Sequence, residues 1–185
     1  DAQNGDTVIL FANTDEVVSV NVLNKEISIV GEEEEDLFPV LTGGLDFGID
    51  NHSQDAGNIT IKGIKFVGNG IKIDDMASVT IEGNIFEDIT ASNAIYVAAD
   101  EYTTTLAITN NIITKVAGAG INLRNPINAT VTGNAITNVT GNAMTFQNDS
   151  AIEDIAGKIV ITGNVLTDWA YGKTEGRAIR LALGN

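Results

Sequence analysis

Cysteine is absent from this 185-residue chain, so it has no disulfide and no thiolate ligand or nucleophile. Proline occurs twice and aromatic residues make up only 5%. Ile, Val, Thr, Ala, Asn and Gly dominate instead, a composition of short strands and turns with little to support a long helix. The single histidine, His52, excludes a His/Cys cluster of the kind that holds zinc. Lys and Arg total 10 against 25 Asp and Glu, a formal charge of −15. Such a field repels nucleic-acid phosphates and anionic bilayers and favours solubility, so no nucleic acid is expected as a partner. No run approaches the ~18 continuous apolar residues of a spanning helix, and no membrane insertion is expected. The chain begins at Asp1 with no signal-like apolar segment, which reads as a processed protein or a fragment of a longer chain.

What the sequence does have is a repeat. Its copies are ITIKGIKF (Ile59 to Phe66), VTIEGNIF (Val79 to Phe86), LAITNNII (Leu106 to Ile113), ATVTGNAI (Ala129 to Ile136) and IVITGNVL (Ile159 to Leu166). Their equivalent positions are Ile64, Asn84, Asn111, Asn134 and Asn164, spaced 20, 27, 23 and 30 residues apart. A single Gly-Asn between alternating apolar runs would suggest a hairpin. A consensus returning at an irregular period in the twenties means stacked units with loops of variable length.

Each unit carries a further strand, with apolar pairs Ile71/Ile73, Ile95/Val97, Ile121/Leu123, Met144/Phe146 and Ile179/Leu181. Another apolar position falls five residues after the anchor, at Ile89, Val116, Val139 and Trp169. No unit can bury its apolar face alone. Stacking the units at the ~4.8 Å strand spacing joins those faces into one core and pairs every strand with its counterpart in the next coil. The product is a parallel β-solenoid. At its inward bends a ladder of Asn side chains can bond the amides of the coils above and below.

The repeated I-T-G-N-x-I/F units, with GDTVIL (Gly5 to Leu10) and ISIVGE (Ile27 to Glu32) ahead of them, resemble the right-handed parallel β-helix of pectate-lyase-like proteins. The resemblance covers most of the chain. It implies an all-β fold, a right-handed parallel β-helix of about six to seven coils with an inward Asn ladder. It implies no single function, because that superfamily includes lyases, hydrolases, tailspikes, adhesins and plain scaffolds.

The expected organisation is one domain over residues 1–185, with early, less regular coils in 1–58 and five regular coils in 59–185. The segment from Gly31 to Asn58 reads as a long excursion with one strand around Leu45 to Ile49. Its acidic run, Glu32 to Asp36, reads as a solvated loop, with a cation site as the sharper alternative. Loops at Asp100 to Thr105, Asn148 to Lys158 and Asp168 to Gly176 account for the longer spacings. No amphipathic cap is visible at either end, where a solenoid exposes strand edges and core. A longer parent chain, or an end-to-end or oligomeric contact, is therefore expected.

Outward positions of the last strand in each unit fall into two columns. One is Lys72, Tyr96, Asn122, Thr145 and Arg180; the other is Asp74, Ala98, Arg124, Gln147 and Ala182. Cations and amides in a stripe suit an acidic polysaccharide, and an aromatic ring can meet a sugar face. The candidate carbohydrate-binding set is Lys72, Asp74, Tyr96, Asn122, Arg124 and Arg180, against the plainer reading of a solvated sheet face.

Catalysis asks for more. A glycoside hydrolase needs two carboxylates about 5 to 9 Å apart, and the adjacent Asp74 and Asp75 diverge on a strand. The polygalacturonase pattern in the resembled superfamily adds a His-Gly and an Arg-x-Lys after its paired Asp. Here His52 lies upstream and is followed by Ser53, and the nearest echo is Arg177 to Arg180. The pectate-lyase pattern sets acidic Ca²⁺ ligands beside an Arg. Asp74 and Arg124 are two coils apart, roughly 10 Å. No catalytic or metal-ligating residue is assigned and no cofactor is expected, the oxygen ligands leaving room only for an adventitious Ca²⁺. The expected function is a non-catalytic extracellular or cell-surface module acting as adhesin, stalk or carbohydrate-contacting scaffold. Its partner would be a polysaccharide or another surface protein. The alternative is a lyase or hydrolase acting on an acidic polysaccharide.

Overall fold

The computed structural model describes residues 2–12, 15–16, 20–21, 26–35, 37–47, 57–74, 76–90, 92–98, 105–126, 128–148, 157–170 and 176–183. Every element among them is a β-strand, and the strands fall into three parallel sheets of seven. The first sheet stacks Asp6–Phe11, Ile27–Glu32, Asn58–Lys62, Ser78–Glu82, Thr105–Thr109, Asn128–Thr132 and Lys158–Thr162. The second stacks Asp15–Glu16, Val40–Leu41, Lys65–Val67, Ile85–Ile89, Ile112–Val116, Ala135–Val139 and Val165–Leu166. The third stacks Val20–Asn21, Leu45–Phe47, Ile71–Asp74, Ile95–Ala98, Ile121–Arg124, Met144–Gln147 and Ile179–Ala182. The chain visits the three sheets in turn, so seven successive coils form the solenoid.

The repeat aligns in space as it does in sequence. Ile59, Val79, Leu106, Ala129 and Ile159 are register partners from coil to coil, as are Ile61, Ile81, Ile108, Val131 and Ile161. Alternation along each strand turns these residues inward, and those between the two outermost coils are buried. Each such side chain contributes about 1.5–3 kcal/mol over leaving it in water. On the second sheet Phe66 and Phe86 stack face to face, with ring centroids 4.8 Å apart.

The second sheet breaks strict alternation, for a local reason. Phe86 and Ile89 both face the core although they are three residues apart, as do Ile113/Val116 and Ile136/Val139. Between them Asp88, Lys115 and Asn138 hold φ of 52°, 53° and 53°, the left-handed conformation. That one residue rotates the chain by a half-step and returns the next side chain to the interior. Asp168 does the same at φ 49° and brings Trp169 into bridge pairing with Val139.

The Gly-Asn pair marks the corner between the first and second sheets. Gly63, Gly83, Gly133 and Gly163 have φ between 62° and 69°, and Asn110 takes that place in the fifth coil at 57°. Glycine adopts this conformation without a Cβ penalty, and Asn is one of the few residues that tolerates it. The residue that follows then points inward. Asn84, Asn111 and Asn134 are buried there and form a continuous ladder. The backbone N–H groups of Ile64, Asn84, Asn111 and Asn134 donate to the Oδ1 atoms of Asn84, Asn111, Asn134 and Asn164 at 2.9–3.0 Å. Each Nδ2 donates back to a carbonyl of the preceding coil, on Ile61, Ile81, Ile108 and Val131 in turn. Nδ2 of Asn84, Asn111 and Asn134 also reaches the next Oδ1 at 2.9–3.1 Å.

The early coils share this stacking. Asp6–Phe11 pairs with Ile27–Glu32 over six residues in register, and Ile27–Val30 pairs with Ile59–Lys62. The strand expected around Leu45 to Ile49 is Leu45–Phe47, with residues 48–50 outside the described set. In the acidic run, Glu34 and Leu37 exchange two backbone hydrogen bonds across a tight turn, and Glu32 to Glu35 is exposed. Asp36 lies outside the described residues, as does most of each of the three longer loops.

Asn134→Ala removes the acceptor for the Asn111 N–H and the donor to the Ile108 carbonyl. Leaving these buried groups unpaired is expected to cost about 1–3 kcal/mol. Thr130→Ala, on the exposed face of the same coil, is expected to cost about 0.5 kcal/mol or less. Urea unfolding of the two variants distinguishes them, and equal losses would contradict a ladder that carries load.

Candidate functional site

The outward face of the third sheet is built by four-residue strands whose first and third residues plug the core. Ile71/Ile73, Ile95/Val97, Ile121/Leu123 and Met144/Phe146 are buried, so the second and fourth residues of each strand turn away from it. Register pairing sets Lys72, Tyr96, Asn122, Thr145 and Arg180 side by side in one column. Asp74, Ala98, Arg124, Gln147 and Ala182 form the other. All six candidate residues therefore lie on one face. Asp75 and His52 are outside the described residues.

The face is less uniformly open than its alternation suggests. Ala98 and Thr145 are buried, and Thr145 Oγ1 accepts a 3.0 Å hydrogen bond from Nδ2 of Asn142. Asn122 is half-buried. Its Oδ1 is sealed from solvent and has no partner among the described residues, so that oxygen offers nothing to an incoming group as the side chain stands. Tyr96, Arg124 and Gln147 are part-exposed, and Arg180 is exposed.

The charge on Lys72 is already matched. Its Nζ lies 2.5 Å from Oδ2 of Asp74 and 3.6 Å from Oδ1 of Asp46. Asp46 is the register partner of Lys72 one coil earlier and extends the first column. Column analysis of the regular repeats misses it, because Leu45–Phe47 belongs to a coil without the Gly-Asn signature. The strand itself was legible, and aligning Leu45 with Ile71 would have found Asp46. The hydrogen bond it donates to Asp74, then the charges of Asp74 and Asp46, raise the Lys72 pKa above the ordinary lysine value, with burial opposing them. Lys72 is thus held as an ammonium and is not poised to remove a proton. Two carboxylates share that one ammonium.

A second set of charges lies on the second sheet. Glu87 meets Lys65 at 2.8 Å and Lys115 at 3.6 Å, and Lys115 also reaches Asp88 at 3.4 Å. The Lys65 hydrogen bond is the main cause that holds the Glu87 carboxyl below its usual range. These pairs are wholly or partly exposed and contribute little. They spend cations of a chain that has only ten. No group of three or more His, Cys, Asp or Glu side chains suited to a metal ion occurs among the described residues.

A sequence model of the family described as right handed beta helix region matches residues 47–182, which include all six candidate residues. No curated protein and no solved structure matches the chain.

Because the folded-state pKa of Lys72 is raised, its pairing stabilises the fold fully below the ordinary lysine value of about 10.4. That contribution is lost as pH rises through the raised value. Asp74→Asn is expected to move the Lys72 side-chain titration, followed by NMR, down toward the ordinary range. A midpoint unmoved by the substitution would contradict the assignment of Asp74 as the dominant partner.

Proposed function

The chain belongs to the right-handed β-helix family and is a β-helix scaffold; we propose that it is a non-catalytic extracellular or cell-surface module that contacts an acidic polysaccharide with the outward face of its third sheet. The observation that carries this reading is the register of Tyr96, Asn122, Arg124, Gln147 and Arg180. These residues set an aromatic ring, amides and two guanidinium groups along one strip with a repeat of ~4.8 Å. An extended sugar chain can follow such a strip over several coils. Arg124 and Arg180 supply planar donors suited to carboxylate or sulfate groups, and Tyr96 offers a face for a sugar ring.

Lys72 takes a smaller part than its place in the column suggests. Asp46 and Asp74 compensate its charge, and a polyanion approaching it would meet both carboxylates. The overall charge of −15 opposes a polyanion at long range. Binding then depends on the local strip, and it is expected to be weak and specific rather than steered.

A glycan array at low and moderate salt, with the wild type and Arg124→Ala/Arg180→Ala, tests the proposal. The expected result is binding to uronate or sulfated glycans that falls by about tenfold or more in the double variant, as charged hydrogen bonds of roughly 1.5–3 kcal/mol each require. Binding that the double variant keeps, or no binding to any glycan, overturns the site. Release of unsaturated or reducing sugar during incubation would instead favour the lyase or hydrolase reading.

A further inference from the structure

Asparagine is followed by glycine at two places in the chain, Asn4-Gly5 and Asn69-Gly70. The second pair stands at the corner where the chain enters the third sheet, just before Ile71–Asp74. Close packing requires glycine there. A Cβ on Gly70 would fall 2.2 Å from the carbonyl oxygen of Ala94 and 2.7 Å from that of Asn93, both in the next coil. The corner therefore keeps an asparagine beside a residue with no side chain to shield the amide between them.

Other coils also place asparagine two residues before the third-sheet strand, and they hold it differently. Asn93 and Asn142 are part-exposed. Each Oδ1 accepts a backbone N–H from the next coil, that of Ala119 at 3.1 Å and that of Arg177 at 2.9 Å. The amide after each of them is tied as well: the Ala94 N–H donates to the Ala119 carbonyl, and the Ala143 N–H to the Arg177 carbonyl. Gly70 breaks this series, because its N–H has no acceptor among the described residues. Asn69 is exposed, and its Nδ2 donates to the Thr42 carbonyl at 3.0 Å. At the other Asn-Gly pair, the Gly5 N–H is held by the Glu26 carbonyl at 2.8 Å.

We propose that Asn69 is a self-modifying site, converted by water to aspartate and isoaspartate in the folded protein. The Gly70 nitrogen, having given its proton to solvent base, attacks Cγ of Asn69. The Cγ–Nδ2 bond breaks, and ammonia leaves after taking up a proton from solvent. A cyclic imide remains. Water then opens it. Breaking the new bond between Cγ and the Gly70 nitrogen gives aspartate. Breaking the original peptide bond gives isoaspartate, whose main chain runs through Cβ and Cγ. The sum is one water consumed and one ammonia released, with no change of oxidation state.

Both products lose the donor to the Thr42 carbonyl and gain a carboxylate. Isoaspartate also lengthens the main chain at a point where two coil-to-coil bonds meet. The Leu45 N–H donates to the Gly70 carbonyl at 3.1 Å, and the Ile71 N–H to the Ala94 carbonyl at 2.9 Å. These bonds begin the pairing of Leu45–Phe47, Ile71–Asp74 and Ile95–Ala98, so the modification loosens the third sheet there. The proposal is independent of the glycan strip, which begins one coil later at Tyr96.

The test incubates the purified chain beside a synthetic peptide spanning Lys65 to Asp74, in warm, mildly alkaline buffer made with oxygen-labelled water. Peptide mapping by mass spectrometry follows both. In the folded chain Asn69 is expected to convert within about tenfold of the peptide's rate, since only one exposed hydrogen bond of modest net strength must open first. The rate is expected to rise with pH, and each product carries labelled oxygen. Asn93 and Asn142 are expected to stay intact, and Asn69→Gln to abolish the conversion. A lag of more than about tenfold behind the peptide overturns the proposal, as does conversion of Asn93 or Asn142 ahead of Asn69. In the separated isoaspartate form, amide exchange at Leu45 and Ile71 is expected to speed up about tenfold or more. Unchanged exchange at both overturns the loosening of the sheet.

Discussion

The amide ladder at the corner between the first and second sheets is the constraint on which the rest depends. A coil that turns inward must bury polar backbone where no water reaches it. The Asn side chain meets that demand as acceptor and as donor, accepting from the preceding coil's backbone N–H and donating to a carbonyl of that coil, as Asn134 does with Asn111 and Ile108. It works only if successive coils arrive in the same register. A slip by one residue would turn each Asn outward and each Ile into water. The left-handed residue before it, glycine in three coils and Asn110 in another, is the backbone condition for that placement.

Once register is fixed, side chains distant in sequence become neighbours at a fixed repeat, and surface chemistry becomes a matter of columns. This is how Asp46, Lys72 and Asp74 come to share one ammonium although they span two coils. It is also how Glu87 meets lysines from the coils on either side of it. Both clusters use up cations that a sequence reading counts as available to a ligand. What remains of the basic charge lies toward the last coils, opposite the acidic beginning of the chain. The third-sheet strip is thus a consequence of the same stacking rule.

Much of the fold was legible because each coil repeats the same physical problem and solves it with the same letters. Gly-Asn named the corner, apolar residues two apart named the inward faces, and the resemblance to β-helix proteins agreed with both. The inward position five residues after the anchor was visible as Ile89, Val116 and Val139. Its cause was not, because Asp88, Lys115 and Asn138 share no residue type that announces a left-handed backbone. The columns of the candidate site were legible as well. Their exposure was not: Ala98 and Thr145 are covered, and the partner that neutralises Lys72 comes from Leu45–Phe47, a coil whose corner lacks the Gly-Asn signature. Asn125, buried at φ 53° beyond the third-sheet strand, escaped notice because it stands outside the repeat.

Native-state amide exchange at the ladder positions tests this account most directly. The backbone N–H groups of Asn84 and Asn111 donate to a buried side-chain oxygen and that of Asn134 to a partly buried one. They are expected to exchange only through global unfolding, with protection matching that of Ile81 and Ile108 in the core strands. The Asn164 N–H, which has no acceptor among the described residues, is expected to exchange much faster. Ladder amides that exchange at the rate of exposed loops, while the core strands stay protected, would contradict the claim that side-chain amide stacking holds the coils in register.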